Sequence, residues 1–89
     1  MRRITLTSSF KSDLKRVRRR NCDEDKMRTL AKLFVEGGPL PALYGAHPLR
    51  GAWAGHMDCH LEPDWIVIYT EDHASVRLIR TGTHADIFG

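Results

Sequence analysis

Eighty-nine residues, 42% of them hydrophobic, make one small globular domain (residues 1–89) with a single modest core and no room for a separate cofactor domain. The longest apolar run, Trp65–Tyr69, is too short to cross a membrane, and no signal-peptide core follows Met1-Arg2-Arg3, so a cytoplasmic chain with no membrane association is expected. The net charge of +3 hides an asymmetry, since residues 1–32 carry 11 Lys/Arg against 4 Asp/Glu whereas residues 33–89 carry 3 against 7; the basic half reads as a surface for phosphate backbones or an acidic partner, or else as a solvated helix face.

Arg3 to Thr7 alternates Ile4 and Leu6 with polar neighbours, which predicts a short strand. Ser8 and Ser9 are good N-caps, and Phe10, Leu14 and Val17 follow at helical spacing, so a first helix is expected over about 9–20. Its other faces carry Lys11, Lys15, Arg16, Arg18, Arg19 and Arg20. Asp23 caps a second helix with the apolar stripe Met27, Leu30, Leu33 and Phe34, ended by Gly37-Gly38 and Pro39. The two form a hairpin with a basic outer face.

Residues 37–48 are rich in Gly and Pro and read as an ordered loop. Strands are then expected at about 50–54, 56–62, 65–70 and 75–81, with Gly55, Pro63-Asp64 and Glu71-Asp72 at the breaks. The order implies an α+β domain: an N-terminal strand, a helical hairpin, then an antiparallel strand meander with the helices on one sheet face. Cys22 and Cys59 have no metal-ligand spacing. Two free thiols are the expected state, with a disulfide between them left open.

The chemistry gathers in the C-terminal half. On the strand from His56 to Glu62, Met57, Cys59 and Leu61 face the core by alternation, while Asp58, His60 and Glu62 face an open side. Asp64 sits on the turn that follows, His47 arrives from the preceding loop, and His84 lies just past the last strand. Histidine gives or takes protons near neutral pH, and an aspartate can orient an imidazole or accept a proton itself. His47, Asp58, His60, Asp64 and His84 could therefore cleave RNA by acid–base chemistry without a metal or other cofactor. Any one histidine is more often a satisfied surface residue than a catalyst, and His56 and His73, beside turns, take that reading. Trp53 and Trp65 read as core or edge packing before base-stacking platforms. A zinc site has no HExxH or CxxC support.

These residues closely resemble a known family. Leu40-Pro41-Ala42, His47-Pro48-Leu49, Gly51, Trp53, Gly55, the block from Asp58 to Ile66 and the block from Arg80 to Gly89 are similar to YafQ toxins, of the RelE superfamily of type II toxin–antitoxin systems. The resemblance implies the RelE-like order β-α-α-β-β-β(-β). It implies a ribosome-dependent endoribonuclease that cuts mRNA in the decoding site without a metal and leaves a 2′,3′-cyclic phosphate or 3′-phosphate. Catalytic and substrate-positioning roles would fall on His47, Asp58, His60, Asp64, Trp65, His84 and Phe88, with Arg80 on the substrate side. Implied partners are a ribbon-helix-helix antitoxin, the ribosome with bound mRNA, and operator DNA through the antitoxin complex. Trp65 or Phe88 would stack a splayed base, and the basic helix residues would lie along RNA phosphates. A ParE-like gyrase inhibitor and an inactive antitoxin-binding homologue are the alternatives; the histidine set argues against the first and the intact motifs against the second.

Overall fold

The computed structural model describes residues 1–89. The elements are β1 (Arg3–Leu6), α1 (Ser8–Arg19), α2 (Glu24–Glu36), β2 (His47–Pro48), β3 (Met57–Glu62), β4 (Trp65–Glu71), β5 (Ser75–Gly82) and α3 (His84–Phe88). The strands form one sheet in the order β1-β5-β4-β3-β2. β1 runs parallel to β5 and all other pairs are antiparallel.

The α+β architecture follows from the apolar pattern. Phe10 of α1, Leu30 and Phe34 of α2, and Cys59, Val67, Tyr69, Val76 and Leu78 of the sheet form one buried cluster with Tyr44. Both helices therefore pack on one sheet face. β4 lies at the centre of the sheet, and Trp65 to Tyr69 are all buried. Its continuous apolar run reflects burial on both faces, with Val67 and Tyr69 toward the helices and Ile66 and Ile68 on the other side.

Local chemistry sets the helix ends. Thr7, one residue before the expected serines, caps α1 by accepting a hydrogen bond from the Phe10 N–H at 3.0 Å. Asp23 caps α2 by accepting from Asp25 N–H at 3.0 Å. Both cysteines are free thiols, and burial pushes the Cys59 thiol up to about 12, which makes it an inert core residue.

Four expectations change. The strand expected at 50–54 is a 3-10 turn, Gly51–Trp53, because Gly51 takes a positive φ of 66° that no strand can hold. The loop expected at 37–48 ends in a strand, His47–Pro48, paired with Asp58 and Met57. The Thr83–Gly89 tail forms a helix, α3. Glu62 does not share the open face with Asp58 and His60: the ladder slips between His60 and Glu62, and Glu62 pairs instead with Lys26 of α2 at 3.0 Å.

One buried carboxylate joins α1 to the sheet. Asp13 is only 4% exposed. It accepts from Arg80 Nε at 2.6 Å, from Arg16 Nη2 at 2.7 Å and from the Thr81 backbone N–H at 3.1 Å. Replacing it strands a buried N–H and an arginine held against the sheet. Asp13→Ala is expected to destabilise the fold by about 3 kcal/mol in urea denaturation; a loss within the scatter of surface substitutions would show that the network is dispensable.

Candidate active site

Strand register assembles the site. His60 on β3 lies opposite Ile66 on β4, and Ile66 lies opposite Gly82 at the end of β5. The chain leaves β5 at that level, so the next residues, Thr83 and His84, emerge beside His60. On the other side, β2 places His47 directly across from Asp58, two residues before His60. The three imidazoles form a row, with ring centroids 6.3 Å apart from His47 to His60 and 5.7 Å apart from His60 to His84.

The two outer rings each have a carboxylate at Nδ1. His84 Nδ1 is 2.6 Å from Asp64 Oδ1, which also accepts the His84 backbone N–H at 2.9 Å. An ionised carboxylate only accepts, so Nδ1 carries the proton and Nε2 is the nitrogen left for chemistry. The backbone and ring hydrogen bonds from His84 hold the Asp64 carboxyl below its ordinary range. The pair is solvent-exposed, so it orients the ring more than it stabilises the fold.

His47 is arranged by the same logic. Its Nδ1 donates to the Gly45 carbonyl at 2.9 Å, and Asp58 Oδ1 lies at the same distance, 2.9 Å, off the N–H axis. Both neighbours are acceptors, so the proton again sits on Nδ1. Asp58 is not on an open face as the alternation implied: it is 3% exposed, and Oδ1 has no other polar partner. The two-residue strand β2 covers it. The Asp58 carboxylate and the His47 ring thus form a cross-strand pair. His60, in the middle, has no carboxylate partner.

α3 has no buried residue, yet it carries His84 and Phe88. Polar contacts hold its first turn. Thr83 and Asp86 form a capping box, in which Thr83 Oγ1 accepts from Asp86 N–H and Asp86 Oδ2 accepts from Thr83 N–H. The Asp86 carboxylate also takes a two-point bond from Arg20, the C-cap of α1, at 2.6 and 3.1 Å. Arg20 first, and then the Thr83 N–H, hold the Asp86 carboxyl far below its ordinary range. Gly82 makes room for this fold-back: a Cβ there would lie 2.8 Å from Asp86 Oδ2. The signal for α3 was present in Thr83-His84-Ala85-Asp86, which has the spacing of a cap and its reciprocal acid.

His47, Asp58, His60, Asp64 and His84 therefore come together, with Phe88 beside His84 at 6.3 Å. Trp65 does not join them. It is 4% exposed, donates its indole N–H to Thr81 Oγ1 at 2.9 Å, and lines a groove between α1 and α2 with Leu14, Val17 and Met27. Arg80 is engaged by Asp13. Among the basic helix residues, Arg16, Arg18 and Arg20 are paired with Asp13, Glu24 and Asp86, while Lys11, Lys15 and Arg19 face solvent without an ion pair. Sequence reasoning missed Asp13 and Asp86, which sit outside the cluster and hold its parts. It also set aside Trp53 and His56, whose rings extend the aromatic row: Trp53 lies 6.3 Å from Phe88 and 5.3 Å from His56.

Known proteins share the sequence and the fold of this chain. Residues 2–89 match the family model described as YafQ, a bacterial toxin of type II toxin–antitoxin systems. The chain is 43% identical over 89 residues to the mRNA interferase toxin YafQ of Escherichia coli K12, covering 99% of this chain and 97% of that protein. It superposes on the crystal structure of YafQ from E. coli BL21(DE3) with a TM-score of 0.93 at 41% identity, each chain covered completely. It matches YafQ in the E. coli DinJ–YafQ complex with a TM-score of 0.91 at 42% identity, again over the whole of both chains. A metal-bound toxin from Helicobacter pylori aligns with a TM-score of 0.89 at 28% identity, over 99% of this chain and all of that one.

The clamp on α3 can be tested apart from catalysis. In Asp86→Ala, and in Gly82→Ala, which pushes the Asp86 carboxylate away, amide exchange over residues 85–88 is expected to speed up with little change in the global unfolding midpoint. The wild-type clamp has a pH sign. Folding lowers the Asp86 pKa, so its contribution is present above the ordinary carboxylate range near 4 and fades as pH falls below it. Unchanged exchange in both variants would show that α3 is held by something else.

Proposed function

The chain belongs to the YafQ family of bacterial toxins from type II toxin–antitoxin systems, and it is an endoribonuclease; we propose that it cuts mRNA in the ribosomal decoding site by metal-free general acid–base transesterification. The observation that carries the reading is the row of three imidazoles, the outer two with Nδ1–H held by an acceptor and Nε2 left for chemistry.

In this reaction the 2′-hydroxyl attacks the adjacent phosphorus as a base removes its proton. The bond to the 5′-oxygen breaks, and an acid protonates that oxygen as it leaves. The product is a 2′,3′-cyclic phosphate, which hydrolysis opens to a 3′-phosphate. His84 suits the acid: Asp64 fixes its tautomer and stabilises the imidazolium that must donate. Asp64 itself is a poor base, because its carboxyl is held ionised below the usual range. The base is then His60, the ring next to His84. His47, backed by Asp58, sits on the far side of His60, where it would help position the scissile phosphate.

The cellular setting belongs to the same proposal. A toxin of this kind has an antitoxin partner, taken to be a ribbon-helix-helix protein whose complex with the toxin binds operator DNA. The ribosome supplies the mRNA surface that 89 residues cannot. Lys11, Lys15 and Arg19 are the free charges for rRNA phosphates. No helix is long and apolar enough to cross a membrane, and action on ribosomes places the chain in the cytoplasm.

Single-turnover cleavage on programmed ribosomes tests the roles. His84→Ala and His60→Ala are each expected to lose about 10²–10⁴-fold in rate. Asp64→Asn is expected to lose roughly tenfold or more, because the His84 tautomer is no longer fixed. A His84→Ala rate within about threefold of wild type would remove it as the acid. Controlled expression with mapping of mRNA 5′ ends tests the activity itself: cuts within codons are expected, whereas growth arrest with intact mRNA and damaged DNA would point to gyrase.

The docking surface has its own test. Replacing Lys11, Lys15 and Arg19 together with Ala is expected to flatten the salt dependence of ribosome binding while catalysis at saturation stays near wild type. An unchanged salt slope would place the rRNA contact elsewhere.

A further inference from the structure

The row of rings does not stop at Phe88. Beyond His84 and Phe88 it continues to Trp53, at 6.3 Å and 89° to the Phe88 ring, and then to His56, at 5.3 Å and 89° to the indole. Trp53 is half-exposed and outside the buried core, and Phe88 is 45% exposed. Two large aromatic rings standing perpendicular at the surface form a corner with apolar walls. Neither ring belongs to the buried cluster beneath the helices.

The corner is also rigid. Trp53 ends a 3-10 turn whose backbone closes on itself, with Ala54 N–H donating to Gly51 O at 3.0 Å and His56 N–H to Trp53 O at 3.0 Å. Leu49 N–H, just after β2, donates to His56 O at 2.9 Å, tying the turn to the strand that carries His47. The His56 ring stands edge-on against the indole and fixes its plane. A preorganised aromatic wall loses little entropy when a ligand stacks on it.

We propose that Trp53 is a substrate-binding residue that forms, with Phe88, a stacking shelf for the nucleobase 3′ to the cut. The inference rests on the ribonuclease reading above. If His84 protonates the leaving 5′-oxygen, the nucleotide bearing that oxygen lies on the His84 side of the row. The rings that follow His84 by contact are Phe88 and then Trp53, whereas His47 meets the row only at His60. A base has a π-face whatever its identity, so the shelf would hold it by stacking.

The test uses ribosomes programmed with mRNA whose nucleotide 3′ to the mapped cut is either intact or abasic, under single-turnover conditions. Wild type is expected to cut the abasic message at least about fivefold more slowly, the lower end of the effect of one stacked base. Trp53→Ala is expected to lose a similar factor on the intact message and to show less than about twofold further loss on the abasic one. Trp53→Phe should keep most of the rate and most of the abasic penalty, which also reports that the turn still folds. If Trp53→Ala is slow but keeps the full abasic penalty, the indole merely props Phe88 and the proposal is overturned. A wild type indifferent to the abasic site overturns it too. A wild type that cuts neither message removes the ribonuclease reading itself, and the shelf with it, a result distinct from cleavage that ignores the missing base.

Discussion

The candidate site depends on a helix with no fully buried residue. α3 is five residues long, no residue of it is buried, and it carries both His84 and Phe88. A helix this short is not stable by itself in water. Two carboxylates set its position: Asp86, which reaches back to the Thr83 N–H and across to Arg20, and Asp64, which takes the His84 backbone N–H. Arg16, whose main partner is the buried Asp13, also approaches Asp86, at 3.8 Å. An ionic chain thus runs from Arg80 through Asp13 and Arg16 to Asp86 and Arg20, linking β5, α1 and α3. The site geometry is inherited from α1, which contributes no residue to the histidine row.

This changes the meaning of the basic N-terminal half. Counted along the chain, its excess of positive charge reads as one surface for phosphate. In three dimensions it divides. Arg16 and Arg20 face the acidic groups that hold β5 and α3, and Arg18 meets Glu24 at the start of α2. On α1, Lys11, Lys15 and Arg19 carry no ion pair. The two-point contacts, of Arg20 with Asp86 and Arg80 with Asp13, are made by guanidiniums, whose fork fits a carboxylate.

Most of the elements were legible in the sequence because their signal is periodic. Phe10, Leu14 and Val17, and then Met27, Leu30 and Phe34, mark helices by spacing alone, and the alternation of Met57, Cys59 and Leu61 orients β3 correctly. What was not legible depended on register. Glu62 follows the same alternation as Asp58 and His60, yet the slip after His60 turns it toward Lys26. Asp58 looked open because nothing in the sequence shows that His47 and Pro48 pair with it as a strand. Trp65 sits within the block that resembles the family's site, but its indole is committed to Thr81 in the interior. The pairing of Asp64 with His84, twenty positions apart, joins two turns that only the β3–β4–β5 ladder brings together.

The division of the sheet explains how so small a chain holds a polar site. The helices cover one face with the main core, and the other face combines the buried Ile66 and Ile68 with the histidine row. The two carboxylates behind the outer rings are not equivalent. Asp64 is exposed and ionised, and can follow His84 through proton transfer at little solvation cost. Asp58 is buried with one oxygen lacking a full hydrogen bond, so its charge is least costly when a cation stands beside it. The two ends of the row thus differ in solvation, with an exposed carboxylate behind His84 and a buried one behind His47.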